Sequence, residues 1–99
     1  SIEYMDNRLS VYTAQYGRCA VTGNVLWIDE IHCHHKIPKQ QGGTDEYKNL
    51  VILHKDVHTL VHAVKRETID AYISLIKPDN EMLKKINVLR KLCGNIEIK

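Results

Sequence analysis

Hydrophobic positions along the chain change period several times, and each change marks an element. Tyr4, Leu9, Val11, Tyr12 and Tyr16 recur at spacings near three and four, which predicts an amphipathic helix over about 4–16 with Gly17 as its C-cap. Arg18 to Asn24 reads as a compact turn. Leu26 to Ile31, carrying Trp27, Ile28 and Ile31, predicts a short strand whose alternation Asp29 and Glu30 interrupt. Between Lys36 and Asn49, Pro38, the Gly42-Gly43 pair and many polar residues predict a loop long enough to need a reason. Leu50-Val51-Ile52-Leu53 is a second strand, after which Val57, Leu60, Val61 and Val64 fall on one side of a short helix. Ile69, Tyr72, Ile73 and Ile76 predict a helix over about 67–76 that stops at Pro78. Met82, Leu83, Ile86, Leu89 and Leu92 predict a last one over about 80–93, capped by Asp79 or Asn80 and ended by Gly94. The expected class is α+β: a strand, loop, strand, helix core over about 26–64, flanked by one helix before it and two after it.

Composition fits one globular domain spanning residues 1–99. With 43% apolar and 26% charged residues the chain has neither the hydrophobe depletion nor the charge excess of disorder. At this length it can bury roughly 60% of its unfolded surface. The formal charge of +2 says little about partners. Residues 54–99 are the more basic half, a bias that suits a phosphate backbone but that an ordinary solvated face explains equally well. Cys19, Cys33 and Cys93 form no CxxC pair and leave one cysteine over under any disulfide scheme, so a reducing, intracellular compartment is expected, cytoplasmic or organellar. No apolar run is long enough to predict a membrane span. The chain opens at Ser1 without an initiator Met and reads as a domain excised from something longer.

Candidate chemistry is concentrated in one third of the chain. All six histidines lie between His32 and His62: a His32-Cys33-His34-His35 cluster, then His54, His58 and His62 one helical turn apart. On a helix, His58 and His62 face the same way and can converge on one ion. A third ligand is available if the loop folds the chain into an antiparallel pair, which brings the His34-His35 end beside the histidine helix. His34 is the choice for that ligand, with His35 left as general base because a base must touch the attacking water. Strand periodicity makes His32 and His34 the same-face pair, so the residues alone do not decide between His34 and His35 as ligand. His32 and His54 read best as surface or satisfied interface residues. Asn49, at the end of the loop, has donors and an acceptor enough to pin the loop or a catalytic imidazole. Gly42-Gly43 reads most simply as a turn.

A resemblance sharpens this. His34-His35-Lys36-Ile37-Pro38, Gly42-Gly43, Asn49-Leu50, His58 and His62 together resemble the His-Asn-His (HNH) nuclease motif, the beta-beta-alpha-metal finger. The resemblance implies His35 as general base, Asn49 as the central catalytic asparagine and His34, His58 and His62 as metal ligands. Cys19-Ala20-Val21-Thr22-Gly23, His32 to Lys36, Gly42 to Leu50, Asp56-Val57-His58, His62-Ala63 and the tail from Leu89 to Asn95 are similar to the C-terminal endonuclease domain of group II intron-encoded reverse transcriptase/maturases. Such a domain nicks one strand of the intron's double-stranded DNA target, and the 3′-hydroxyl primes reverse transcription. Intron RNA and the reverse transcriptase/maturase domains of a full-length protein are then the implied partners, with no membrane.

The implied cofactor is one divalent ion, Mg²⁺ or Mn²⁺, while Zn²⁺, Ni²⁺ or Co²⁺ would also enter an imidazole-rich site in vitro. Many relatives hold a structural zinc with two CxxC pairs. Here Thr22 follows Cys19 at the expected spacing and His54 and Val57 replace the second pair, so no structural zinc is expected. Lys36, Lys39 and Lys48 are candidate phosphate contacts. Rival readings are a non-catalytic nucleic-acid-binding module, a structural metal domain with a fourth ligand such as His54, and a free-standing HNH nuclease.

Overall fold

The computed structural model describes all residues, 1–99, as four helices around a two-stranded antiparallel sheet, an α+β arrangement. In chain order these are α1 (Ile2–Ala14), β1 (Ile31–His35), β2 (Leu50–His54), α2 (Lys55–His62), α3 (Arg66–Ile76) and α4 (Asn80–Leu92). No helix is long and apolar enough to cross a membrane.

The two strands pair with Ile31 opposite His54, Cys33 opposite Ile52 and His35 opposite Leu50. This register carries the histidine cluster along one strand and delivers the chain directly from β2 into α2. His54 makes that junction: its Nδ1 accepts from the amide of Asp56 at 3.0 Å and caps α2. The core is built where the sheet meets the helices, with Ile52, Leu53, Leu60, Val61 and Ile86 fully buried. Each such side chain contributes about 1.5–3 kcal/mol of transfer free energy. Helices α3 and α4 enclose the far side of α2 through Ile69, Ile86 and Leu89. Lys77 ends α3 in the left-handed conformation, and the Asp79 carboxylate accepts from the Met82 amide at 2.8 Å to start α4.

Three expectations are corrected. The strand expected over Leu26–Ile31 is instead a single 3-10 turn at Ile28–Glu30, and the strand begins where that one was to end. Glu30 folds back to accept from the Trp27 amide at 2.8 Å, which closes the turn, and Trp27 and Ile28 are left exposed. The first helix ends at Ala14 rather than Tyr16, and Tyr16 and Gly17 both adopt positive φ in the exit turn. Gln15 holds that turn by bonding both the amide and the carbonyl of Ile52 at 3.0 Å. Of the apolar stripe on α1 only Val11 is buried. Finally, α2 stops at His62, so Val64 is exposed and Ala63 takes the buried place after the helix.

Candidate functional site

The loop from Lys36 to Asn49 folds back on itself as two 3-10 turns, and Asn49 is what holds it. The buried Asn49 accepts from the Ile37 amide at 2.9 Å and donates to the carbonyls of Ile37 at 3.0 Å and Thr44 at 2.8 Å. It thereby satisfies backbone groups at the start of the loop and in its interior. Gly43 is required by close approach, since a Cβ there would fall 1.7 Å from the Ile37 carbonyl oxygen, and Gly42 has a φ of 91°. Asn49 is thus a loop pin, and the glycines form a turn.

Side chains alternate across β1, and the two halves of the histidine cluster separate accordingly. His34 is buried and meets α2, where its Nδ1 lies 3.3 Å from Nε2 of His62. The rings of His34, His58 and His62 stand 4.8–5.0 Å apart, centroid to centroid. One nitrogen from each lies within 4.8 Å of the others. Burial drives the pKa of His34 down to about 3 and that of His58 to about 4, reinforced by the neighbouring imidazoles, and burial also lowers His62. Neutral imidazoles with inward-turned nitrogens are what a divalent ion requires of a protein. These three residues fit one. His32 shares their face but sits outside the trio, its Nδ1 2.9 Å from Nδ1 of His58.

His35 points the other way. Its ring stacks on Tyr4 of α1, centroids 5.4 Å apart and planes within 9°. Its Nε2 lies 2.8 Å from Oδ1 of Asp45. The hydrogen bond from His35 comes first in holding the Asp45 carboxyl at a pKa of about 2, followed by that from Lys39. An ionised carboxylate only accepts, so Nε2 of His35 carries a hydrogen, and Nδ1 is the ring nitrogen not engaged by Asp45. Asp45 is itself braced by Lys39 Nζ at 3.0 Å and Ser1 Oγ at 3.1 Å, and its carbonyl accepts from Asn7 at 3.0 Å. The first helix and its N-cap Ser1 therefore buttress the His35–Asp45 pair, the helix through Tyr4 and Asn7.

Of the expected site residues, His34, His58 and His62 come together, and His35 stands on the opposite face of the same strand with Asn49 organising the loop beneath it. His54 is engaged elsewhere, with Nε2 3.0 Å from Glu30 and Nδ1 on the Asp56 amide. Of the candidate phosphate contacts, Lys39 is committed to Asp45 and Lys48 stands 3.6 Å from Glu46.

Asp45 and Arg90 have roles that the sequence reading did not assign. Asp45 lies in a polar loop where no local pattern sets it apart, and only its contacts with His35 and Lys39 do so. Arg90 looks like a surface residue of α4, yet it is buried. It donates to the carbonyls of Leu60 and Ala63 at 2.7 Å and, through Nε, to Ile96 at 2.8 Å. It satisfies the open carbonyls at the end of α2, directly behind His62. Its only sequence signal is a charge in register with Ile86, Leu89 and Cys93.

Compared with known proteins, residues 17–63 match the family model for HNH endonuclease. The matched segment holds both strands, the loop and α2, and leaves α1, α3 and α4 outside it. The match, over just under half of the chain, is a likeness to HNH endonucleases and points to a nuclease or nucleic-acid-binding role. No curated protein and no solved structure matches the chain significantly.

Proposed function

We propose that the chain is a metal-dependent HNH endonuclease that hydrolyses phosphodiester bonds of double-stranded DNA. The observation that carries this reading is the convergence of His34, His58 and His62 one residue away from a carboxylate-held His35. His34, His58 and His62 would hold the divalent ion, Mg²⁺ or Mn²⁺. Bound there, it would supply Lewis-acid stabilisation of the charge that develops on the phosphate and the 3′ leaving oxygen.

The protein's own part is proton movement and positioning. With Nε2–H donated to Asp45, Nδ1 of His35 accepts the proton of the attacking water, and the adjacent carboxylate stabilises the imidazolium that results. Tyr4 fixes the plane of that ring and Asn49 fixes the loop that carries Asp45. Water attack with departure of the 3′ oxygen leaves 5′-phosphate and 3′-hydroxyl ends.

The finer reading is that this is one domain, residues 1–99, of a group II intron-encoded reverse transcriptase/maturase, nicking one strand of an intron target inside a cell or organelle. Its supports are the resemblance along Cys19 to Gly23, Gly42 to Leu50 and Leu89 to Asn95, and a chemistry that leaves the 3′-hydroxyl a polymerase extends. Intron RNA and the remainder of such a protein would then supply target recognition.

Supercoiled plasmid incubated with Mg²⁺ or Mn²⁺ tests the activity. Open-circle product that EDTA and His35→Ala each abolish, and that a reverse transcriptase extends without prior end repair, is the expected result. Intact plasmid from folded, metal-loaded protein would favour the binding-module reading.

A further inference from the structure

The last helix reaches into the metal centre from behind. Cys93, at the end of α4, is buried, with its Sγ 3.7 Å from Nε2 of His34 and 3.6 Å from the carbonyl oxygen of Lys36. His34 therefore has one ring nitrogen turned to His62 and the other turned to sulfur. Around neutral pH a cysteine thiol carries its proton, and here that proton has the Lys36 carbonyl to point at. The sulfur lone pairs are then left facing His34. A donor is needed on that side of the ring, which places the hydrogen of the neutral imidazole on Nε2 and bares Nδ1 toward His58 and His62.

We propose that Cys93 is a positioning residue of the metal centre, accepting the Nε2–H of His34 and so setting Nδ1 as the nitrogen that His34 offers to the ion. The inference rests on the metal reading above and adds to it a residue 59 positions further along the chain. Metal-bound histidines usually donate their second N–H to an acceptor that fixes tautomer and ring orientation. A thiol whose own proton is taken by a backbone carbonyl fills that place here. The placement depends on α4, and Arg90, one turn earlier, ties the same helix to the end of α2. One helix thus holds both sides of the centre, His34 on β1 and His62 on α2.

Three variants of the whole chain separate this from a packing role. Cys93→Val keeps the bulk and removes the acceptor, Cys93→Ala removes both, and Cys93→Ser restores a group that donates to Lys36 and accepts from His34. Long-range ¹⁵N–¹H correlation spectra of the metal-free proteins read the His34 tautomer, and competition titrations with Co²⁺ read the affinity. In the wild type His34 should be the Nε2–H tautomer. Cys93→Val and Cys93→Ala should mix the tautomers and weaken Co²⁺ binding by roughly 10–100-fold, with Cys93→Ser recovering most of it. Wild-type tautomer and affinity in Cys93→Val would overturn the role of Cys93 while leaving the centre in place. A wild-type protein that binds no Co²⁺ would overturn the centre itself, a result distinguishable because the tautomer is read without metal.

Discussion

Asp45 accepts a hydrogen bond from Nε2 of His35 at 2.8 Å, across ten residues of loop, and this pair leaves Nδ1 as the ring nitrogen free to take a proton. Asp45→Asn keeps the shape but can present an amide to Nε2 and favour the other tautomer, with Nδ1 protonated. Its nicking rate should fall on the order of 10-fold or more, and His35→Ala should fall by about 10²–10⁴-fold. Both should bind Mn²⁺ as the wild type does, since neither residue belongs to the His34, His58, His62 trio. Parallel kinetics and calorimetric titration check the split.

Acid should unfold the metal-free protein early. His34 and His58 ionise in the fold only near pH 3 and pH 4, against 6.5 for a free imidazole, so the unfolded chain binds more protons throughout that interval. Their contribution is complete above pH 6.5 and is lost as pH falls toward the folded values. Thermal melts should show Tm declining from about pH 6.5 downward, with Asp45 and Glu30, whose carboxyls are held below their ordinary values of 3.8 and 4.5, adding to the fall only once pH drops through those values. A divalent ion, which competes with protons for the same nitrogens, should shift this decline to lower pH.

Arg90 is a structural cation. Arg90→Met removes the donors that satisfy Leu60, Ala63 and Ile96 and should destabilise the fold by about 3 kcal/mol. For a chain of this length that corresponds to a Tm loss of about 10 °C or more. Arg90→Lys should rescue only part of it, because an ammonium cannot span the separated carbonyls as the planar guanidinium does. Differential scanning fluorimetry of the three proteins gives the comparison.

Asn49→Ala should act on stability and activity together. Two backbone groups of Ile37 and the carbonyl of Thr44 lose their partner, at a cost of about 1–3 kcal/mol for each one left buried. The loop that carries Asp45 loosens with them. Chemical denaturation should show a lowered midpoint, and nicking should fall even where the protein remains folded. Asn49→Asp should restore only the bond from the Ile37 amide.

Local periodicity carried most of the fold. The second strand, α2, α3 and α4 lie within two residues of expectation because each combines an apolar face with a clear stop: Pro78, Asp79 and Gly94 punctuate the C-terminal half. The strand before the loop was displaced because its identity depends on pairing. Cys33 and His34 belong to β1 only because Ile52 and Val51 stand opposite them. His58 and His62 were legible as a pair from helical spacing, and the antiparallel return of the chain brought the His34-His35 end beside them, but choosing His34 over His35 rested on the resemblance to the HNH motif. Asp45, Arg90 and Cys93 were not legible, since each acts through a contact 10 to 59 residues away that no local pattern encodes.

The most direct measurement pairs metal stoichiometry with single-turnover cleavage of a DNA duplex by wild type and His35→Ala in Mn²⁺. One Mn²⁺ should bind to each protein, and only the wild type should cleave to a 3′-hydroxyl. Cleavage by His35→Ala at the wild-type rate with its metal in place would contradict the role of His35 as base, because the proton would then be leaving by another route.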